Sequence, residues 1–317
     1  MIAFVFPGQG AQKLGMGKAL ADNFPVCREA FDEADAALGE PLSTLCFEGP
    51  DDQLMLTEFT QPAILAMSTA VHRLVRSHGI EASFAAGHSL GEYSAHVAAG
   101  TLSFADALRT VKRRGRYMQA AVPVGEGAMA AVLGLDSPDV ARACAEAAEG
   151  QIVTPANLNS PGQVVIAGHA AAVARAGQRA KALGARRVLP LPVSAPFHCA
   201  LMKPAEDRLA PELRALRVTD PTIPVVANVD AEPKRTGAES IEALVRQISA
   251  PVRWEDVVHR LIAEGARTFI ELGPGAVLAG LIKKIDRSVA VYSVEDRAGL
   301  DAVLSAVHRE GAAVDRS

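Results

Sequence analysis

The chain is poor in cysteine, has no long apolar run and carries no basic excess, and each shortage closes off a class of function. Its four cysteines (Cys27, Cys46, Cys144, Cys199) lack C-x-x-C spacing and are too sparse for a disulfide scaffold, so they read as buried free thiols. No metal or other cofactor is expected. No uninterrupted apolar stretch reaches the ~18 residues that a membrane span needs. The opening Met1-Ile2-Ala3-Phe4-Val5-Phe6-Pro7 has neither a basic leader nor a cleavage site, so a cytoplasmic protein without membrane contact is expected. A net charge of −4 argues against general nucleic-acid binding and leaves any acidic partner to local basic patches. What is present, 317 residues that are 49% hydrophobic and 21% charged, suffices for a large core in one large domain or two unequal ones.

Gly87-His88-Ser89-Leu90-Gly91 organises the chain. An apolar approach (Phe84-Ala85-Ala86) precedes this G-x-S-x-G pentapeptide and an amphipathic run over 92–99 follows it, so the segment reads as strand, tight turn and helix. A serine on such a turn has its hydroxyl exposed, and the helix aims its first N–H groups at any oxyanion formed there. The chemistry implied is acyl transfer through an ester on Ser89. His88 is its sequence neighbour and points to the opposite face, which makes it scaffold.

Gly8-Gln9-Gly10 follows the buried strand 2–6 and superficially resembles a nucleotide-binding turn, but glycine is missing from the positions either fingerprint requires. What remains is a tight loop in which Gln9 can approach a ligand. Helical periodicity over 57–78, ahead of the strand leading to Ser89, indicates α/β architecture with a mainly parallel sheet. The rhythm then changes. Strands at 128–135, 151–156, 163–167 and 187–191, with helices at 138–148 and 170–183, give the order β-α-β-β-α-β of a ferredoxin-like unit. The expected organisation is a hydrolase-like core, residues 1–124 and 195–317, with a small ferredoxin-like subdomain, 125–194, inserted in it. The cleft between them is the default ligand site.

In the helix predicted over 104–121, Phe104, Leu108, Val111, Met118 and Val122 form one apolar stripe, and Arg114 continues it. Arg109, Lys112, Arg113 and Arg116 fall on a solvated basic face. An inward guanidinium needs an anion, either a distant Asp or Glu or a ligand carboxylate, which its fork binds bidentately. His198, after a strand at 188–193 and the stiff loop Ala195-Pro196-Phe197, stands where a base for Ser89 commonly sits.

Taken together, Pro7-Gly8-Gln9-Gly10-Ala11-Gln12, Gly87-His88-Ser89-Leu90-Gly91-Glu92, Arg114, Asn159-Ser160-Pro161-Gly162-Gln163, Pro196-Phe197-His198 and Glu271-Leu272-Gly273-Pro274-Gly275 resemble, in content and order, the malonyl-CoA:acyl carrier protein transacylases. The resemblance spans nearly the whole chain. It implies that Ser89 attacks malonyl-CoA, that His198 takes and returns the proton, and that the N–H groups of Gln9 and Leu90 hold the oxyanion. Arg114 would clamp the malonyl carboxylate, and the backbone carbonyl of Gln247 would orient His198. Phe197 departs from the serine of some members, and with Leu90 it resembles the malonyl-selecting forms of related polyketide acyltransferases. Such enzymes serve fatty acid synthesis, polyketide synthesis and malonate-decarboxylase loading; the expectation is fatty acid biosynthesis by a monomer.

An esterase of the α/β-hydrolase type would place its histidine late in the chain and give Arg114 no role, and a carrier-binding module would not require Ser89 with His198. Acyl carrier proteins, as the resemblance implies, present an acidic helix. Arg186-Arg187 and Lys283-Lys284 are the basic pairs expected to meet it.

Overall fold

The computed structural model describes residues 1–193 and 195–314, those from 308 onward by backbone alone. Among them are strands β1 (Ile2–Phe6), β2 (Phe84–Gly87), β3 (Gly127–Leu133), β4 (Val153–Ser160), β5 (Gln163–His169), β6 (Arg187–Pro190), β7 (Val225–Val226), β8 (Pro233–Lys234), β9 (Thr268–Leu272) and β10 (Ala290–Val294). One sheet runs β10-β9-β1-β2-β7-β8, parallel from β10 to β7 and closed at its far edge by the antiparallel β7–β8 pair. Its central strands are apolar throughout because both faces are covered. Phe4 and Phe6 of β1 enter the core built with the helices Thr57–Ser77 and Phe104–Ala120, whereas Ala3 and Val5 face Trp254, Val257 and Ile282 on the other side.

Register sets the position of the loops. Phe6 pairs with Gly87, so β1 and β2 end level and release their loops at the same carboxyl edge of the sheet, where α/β proteins bind ligands. Those loops are 7–10, with Gln9, and the turn through Ser89. Glycine is required here by space: a Cβ on Gly87 would lie 1.9 Å from the Gly91 backbone, and one on Gly91 would lie 2.0 Å from the Phe6 carbonyl oxygen. The helix after the turn, Leu90–Ala98, is buried continuously from Leu90 to His96 and so is not the amphipathic element its sequence suggests. It is wedged between β1, β2 and the helix Thr57–Ser77, which leaves it little solvated face.

The second sheet, β4-β5-β3-β6, is antiparallel. With the helices Ser137–Ala147 and Ala170–Ala182 it realises the expected β-α-β-β-α-β order as an inserted ferredoxin-like unit. Those helices cover one face over Ala130, Val132, Val164 and Ile166, while Met129, Val165 and Ala167 join the main core. β4 breaks register between Pro155 and Asn157, and beside the break Leu158 N–H donates to the Val252 carbonyl at 2.8 Å. This stitches the small sheet to the segment of the main core that leads into the helix Trp254–Ala263. β6 ends at Pro190, shorter than the sequence suggested, because its register with β3 covers only Ala130 to Leu133. All four cysteines are buried free thiols, and none of the described helices is long and apolar enough to cross a membrane.

Candidate active site

Ser89 sits at the turn with φ 52° and ψ −108°, a conformation that costs about 1–3 kcal/mol and persists only where the surroundings enforce it. His198 also has a positive φ, 59°, on the loop that follows the second sheet. The hydroxyl of Ser89 is 2.7 Å from His198 Nε2, and His198 Nδ1 is 3.0 Å from the Gln247 carbonyl oxygen. A carbonyl only accepts, so Nδ1 carries the proton and Nε2 keeps the lone pair that faces Ser89. Burial, with the nearby Arg114 charge, pushes His198 down to about 3, so at ordinary pH the imidazole is neutral and its Nε2 lone pair is free to take a proton. His88 instead contacts Asn159 Oδ1 at 2.9 Å and lies beside Trp254.

Arg114 faces inward, 1% exposed, between the buried Val111 and Met118. Its Nη1 donates to Gln61 Oε1 at 3.0 Å, and its Nη2 donates to Gln247 Oε1 at 2.8 Å and to Ser89 Oγ at 3.1 Å. The guanidinium carbon lies 5.5 Å from the Tyr93 ring centroid. These acceptors are neutral. The closest approach to a counter-charge is indirect, through Gln247 Nε2, which donates to Glu92 Oε2 at 2.8 Å. Burial raises Glu92 to about 7, so at neutral pH it supplies only part of a negative charge. A buried guanidinium under these conditions favours an incoming carboxylate. On the outer face of the same helix Arg113 pairs with Glu212 at 2.9 Å and Arg116 with Glu58 at 2.6 Å. Lys112 departs from the expected solvated face: its side chain is largely covered, paired with Glu40 and set against the Phe59 ring.

Ser89, His198 and Arg114 line one cavity of about 100 Å³, which Gln9, Leu90 and Phe197 also wall. Leu90 opens the helix after Ser89, and the Gln9 side chain donates to Thr57 Oγ1 at 3.3 Å. Gln9, His88, Asn157 and Leu191 also line an adjoining cleft of about 260 Å³ between the two sheets. Gln163 carries that cleft into an open groove of about 460 Å³ whose basic residues are Arg186, Arg187 and Lys284. Lys284 Nζ donates to Gln163 Oε1 at 3.0 Å, and Lys283, exposed as Lys284 is, stands outside the groove lining. Among the described residues no cluster of His, Cys, Asp or Glu could hold a metal ion.

Sequence reasoning missed Gln61, Glu92 and Asn228, all buried at the site. Gln61 carried the same signal as Arg114, a polar residue on an apolar helical face. Glu92 followed the serine motif closely but had no visible partner, and Asn228 had no local signal.

A family model described as the acyl transferase domain matches residues 3–311. A malonyl CoA-acyl carrier protein transacylase from Escherichia coli (strain K12) is 52% identical over 303 residues, covering 95% of this chain and 98% of that protein. One of the same description from Bacillus subtilis (strain 168) is 48% identical over 310 residues, 98% of each chain. Among solved structures, an acyl carrier protein S-malonyltransferase from Vibrio cholerae superposes with a TM-score of 0.93 at 50% identity, covering 95% of this chain and 99% of that one. A malonyl-transacylase solved in complex with its type II PKS acyl-carrier protein gives a TM-score of 0.94 at 50% identity, with 96% and 99% covered.

Proposed function

The chain belongs to the acyl transferase domain family, and from that premise we propose that it moves a malonyl group from malonyl-CoA to the phosphopantetheine thiol of acyl carrier protein, for fatty acid biosynthesis. The transfer is ping-pong, through a malonyl ester on Ser89. Ser89 Oγ attacks the thioester carbonyl while His198 Nε2 takes its proton, and the N–H groups of Gln9 and Leu90 hold the oxyanion. Collapse breaks the C–S bond, and the imidazolium returns the proton to the departing CoA sulfur. The carrier thiol then gives its proton to His198 and attacks the ester, and Ser89 leaves with that proton. A thiolate leaves readily, so the Gln247 carbonyl suffices to orient and stabilise the imidazolium where hydrolases of stronger amide bonds use a carboxylate.

The observation that carries the malonyl reading is Arg114, buried among neutral acceptors and contacting the same hydroxyl as His198. It clamps the malonyl carboxylate and thereby fixes the reacting carbonyl. The protein acts as a cytoplasmic monomer with neither nucleic acid nor membrane as partner, and its residues 125–194 act as a ferredoxin-like subdomain inserted in the core of 1–124 and 195–317. Arg186, Arg187 and Lys284, with Lys283 on the rim, receive the acidic carrier.

Intact-mass measurement after mixing with malonyl-CoA tests the reading. A persistent malonyl adduct that Ser89→Ala abolishes, with the fold retained, is expected. Rapid hydrolysis would make the protein an esterase, and no adduct would make it a binding module.

A further inference from the structure

The turn at Ser89 raises the question of what holds it. Gly87 C=O and Ser89 N–H lie where the ladder of β2 has ended and the helix from Leu90 has not begun, so neither element supplies their partners. Asn228, from the loop between β7 and β8, supplies both. Its Oδ1 accepts from Ser89 N–H at 2.7 Å, and its Nδ2 donates to the Gly87 carbonyl at 2.7 Å. The side chain is fully buried. Its own backbone is fixed as well: Asn228 N–H donates to Glu92 Oε2 at 2.9 Å, and its carbonyl accepts from Arg253 N–H at 3.1 Å. Gln247 Nε2 holds the other side of Ser89, donating to its carbonyl at 2.9 Å.

We propose that Asn228 is a positioning residue for this reaction, a carboxamide bracket that spans the turn and holds Ser89 in the conformation that points its hydroxyl at His198. The proposal rests on Ser89 as the nucleophile. A carboxamide suits the task because it offers one acceptor and one donor side by side, matched to an N–H and a C=O two residues apart. Without it both buried backbone groups lose their partners and the turn loses the contact that opposes relaxation of φ at Ser89.

The test is the single-turnover rate of Ser89 acylation by malonyl-CoA and by acetyl-CoA, measured for wild type, Asn228→Ala and Asn228→Asp. Asn228→Ala is expected to slow both acylations alike, by on the order of 10²-fold, with the KM for malonyl-CoA little changed. A protonated aspartic acid repeats both hydrogen bonds, whereas its carboxylate cannot donate to the Gly87 carbonyl and lies beside Glu92, on which Asp230 and Arg114 also act, with His198 reached through Ser89. The rate of Asn228→Asp relative to wild type should therefore rise as pH falls from about 8 to about 5. A side chain that merely fills the core would give no such rise. If Asn228→Ala fails to fold, Asn228→Asp decides alone. An acylation rate within about twofold of wild type for Asn228→Ala, a loss confined to KM, or a pH-independent Asn228→Asp ratio would overturn the proposal. Absence of the wild-type adduct would instead overturn Ser89 as nucleophile.

Discussion

Ser89 Oγ and His198 Nε2 stand 2.7 Å apart, and the two residues that make this contact both hold a left-handed backbone, at φ 52° and φ 59°. Only two other non-glycine residues among those described, Glu149 and Ala231, share that sign of φ. Two sharp bends therefore bring the side chains together from separate segments, and two of the four such residues among those described meet at this one contact.

Because His198 is held down at about 3, the acylation rate should show no acid limb centred near 6.5, the ordinary histidine value. Its conjugate acid is scarce until pH approaches the depressed pKa. His198→Ala should slow acylation by ~10²–10⁴-fold. Stopped-flow acylation across pH checks both; a midpoint near 6.5 would show that His198 titrates as if exposed.

Arg114→Ala should reduce malonyl transfer on the order of 10²-fold, the loss of charge-assisted hydrogen bonds to a carboxylate. Acetyl transfer should fall less or improve, since acetyl offers no carboxylate and the vacated space is neutral. Parallel assays with the two thioesters decide the matter, and equal losses would make Arg114 structural.

Reversing Arg186, Arg187 and Lys284 to glutamate should raise the KM for acyl carrier protein and weaken its salt dependence, while the malonyl-CoA half-reaction proceeds normally. Lys283→Glu alone should do less, because that side chain stands outside the groove lining. Unchanged carrier kinetics at low salt would move the docking surface elsewhere.

Stability should depend on pH in two opposed ways. Burial holds His72 at about 4 and His96 and His198 at about 3, so below 6.5 the unfolded chain binds protons that the native state refuses, and stability falls as pH falls. Glu92 and Glu271 are raised to about 7 by burial. Between their ordinary value near 4.5 and 7 the native state holds the extra protons, so their contribution falls as pH rises. Between about 4.5 and 6.5 the two glutamates offset only part of the histidine effect, to which His88, also lowered by burial, adds, and below that window the depressed Asp230 carboxyl acts in the same direction as the histidines. Thermal midpoints should fall gently as pH falls across the window and steeply beneath it, with a shallower drop for His96→Leu. A His96→Leu curve parallel to wild type would contradict the assignment.

Much of this was legible locally. The G-x-S-x-G spacing announced a turn because only glycine fits where the Gly87 and Gly91 positions meet backbone at about 2 Å. Helical periodicity placed Arg114 inward, and alternating elements gave the inserted unit its order. Lys283 and Lys284 looked equivalent in sequence, yet neighbours on the helix Val277–Ile285 project about 100° apart and only Lys284 reaches the groove.

The sequence by itself determined the turn, the inward arginine and the succession of strands and helices, because each follows from steric or periodic constraints among residues within a few turns of one another. The tertiary structure decided what those residues meet. Asn228 on Ser89, Gln61 on Arg114 and the Gln247 carbonyl on His198 join positions 139, 53 and 49 apart. Hydrogen bonds select partners by distance and direction in space, and no local pattern in the chain encodes which distant segment arrives with an acceptor.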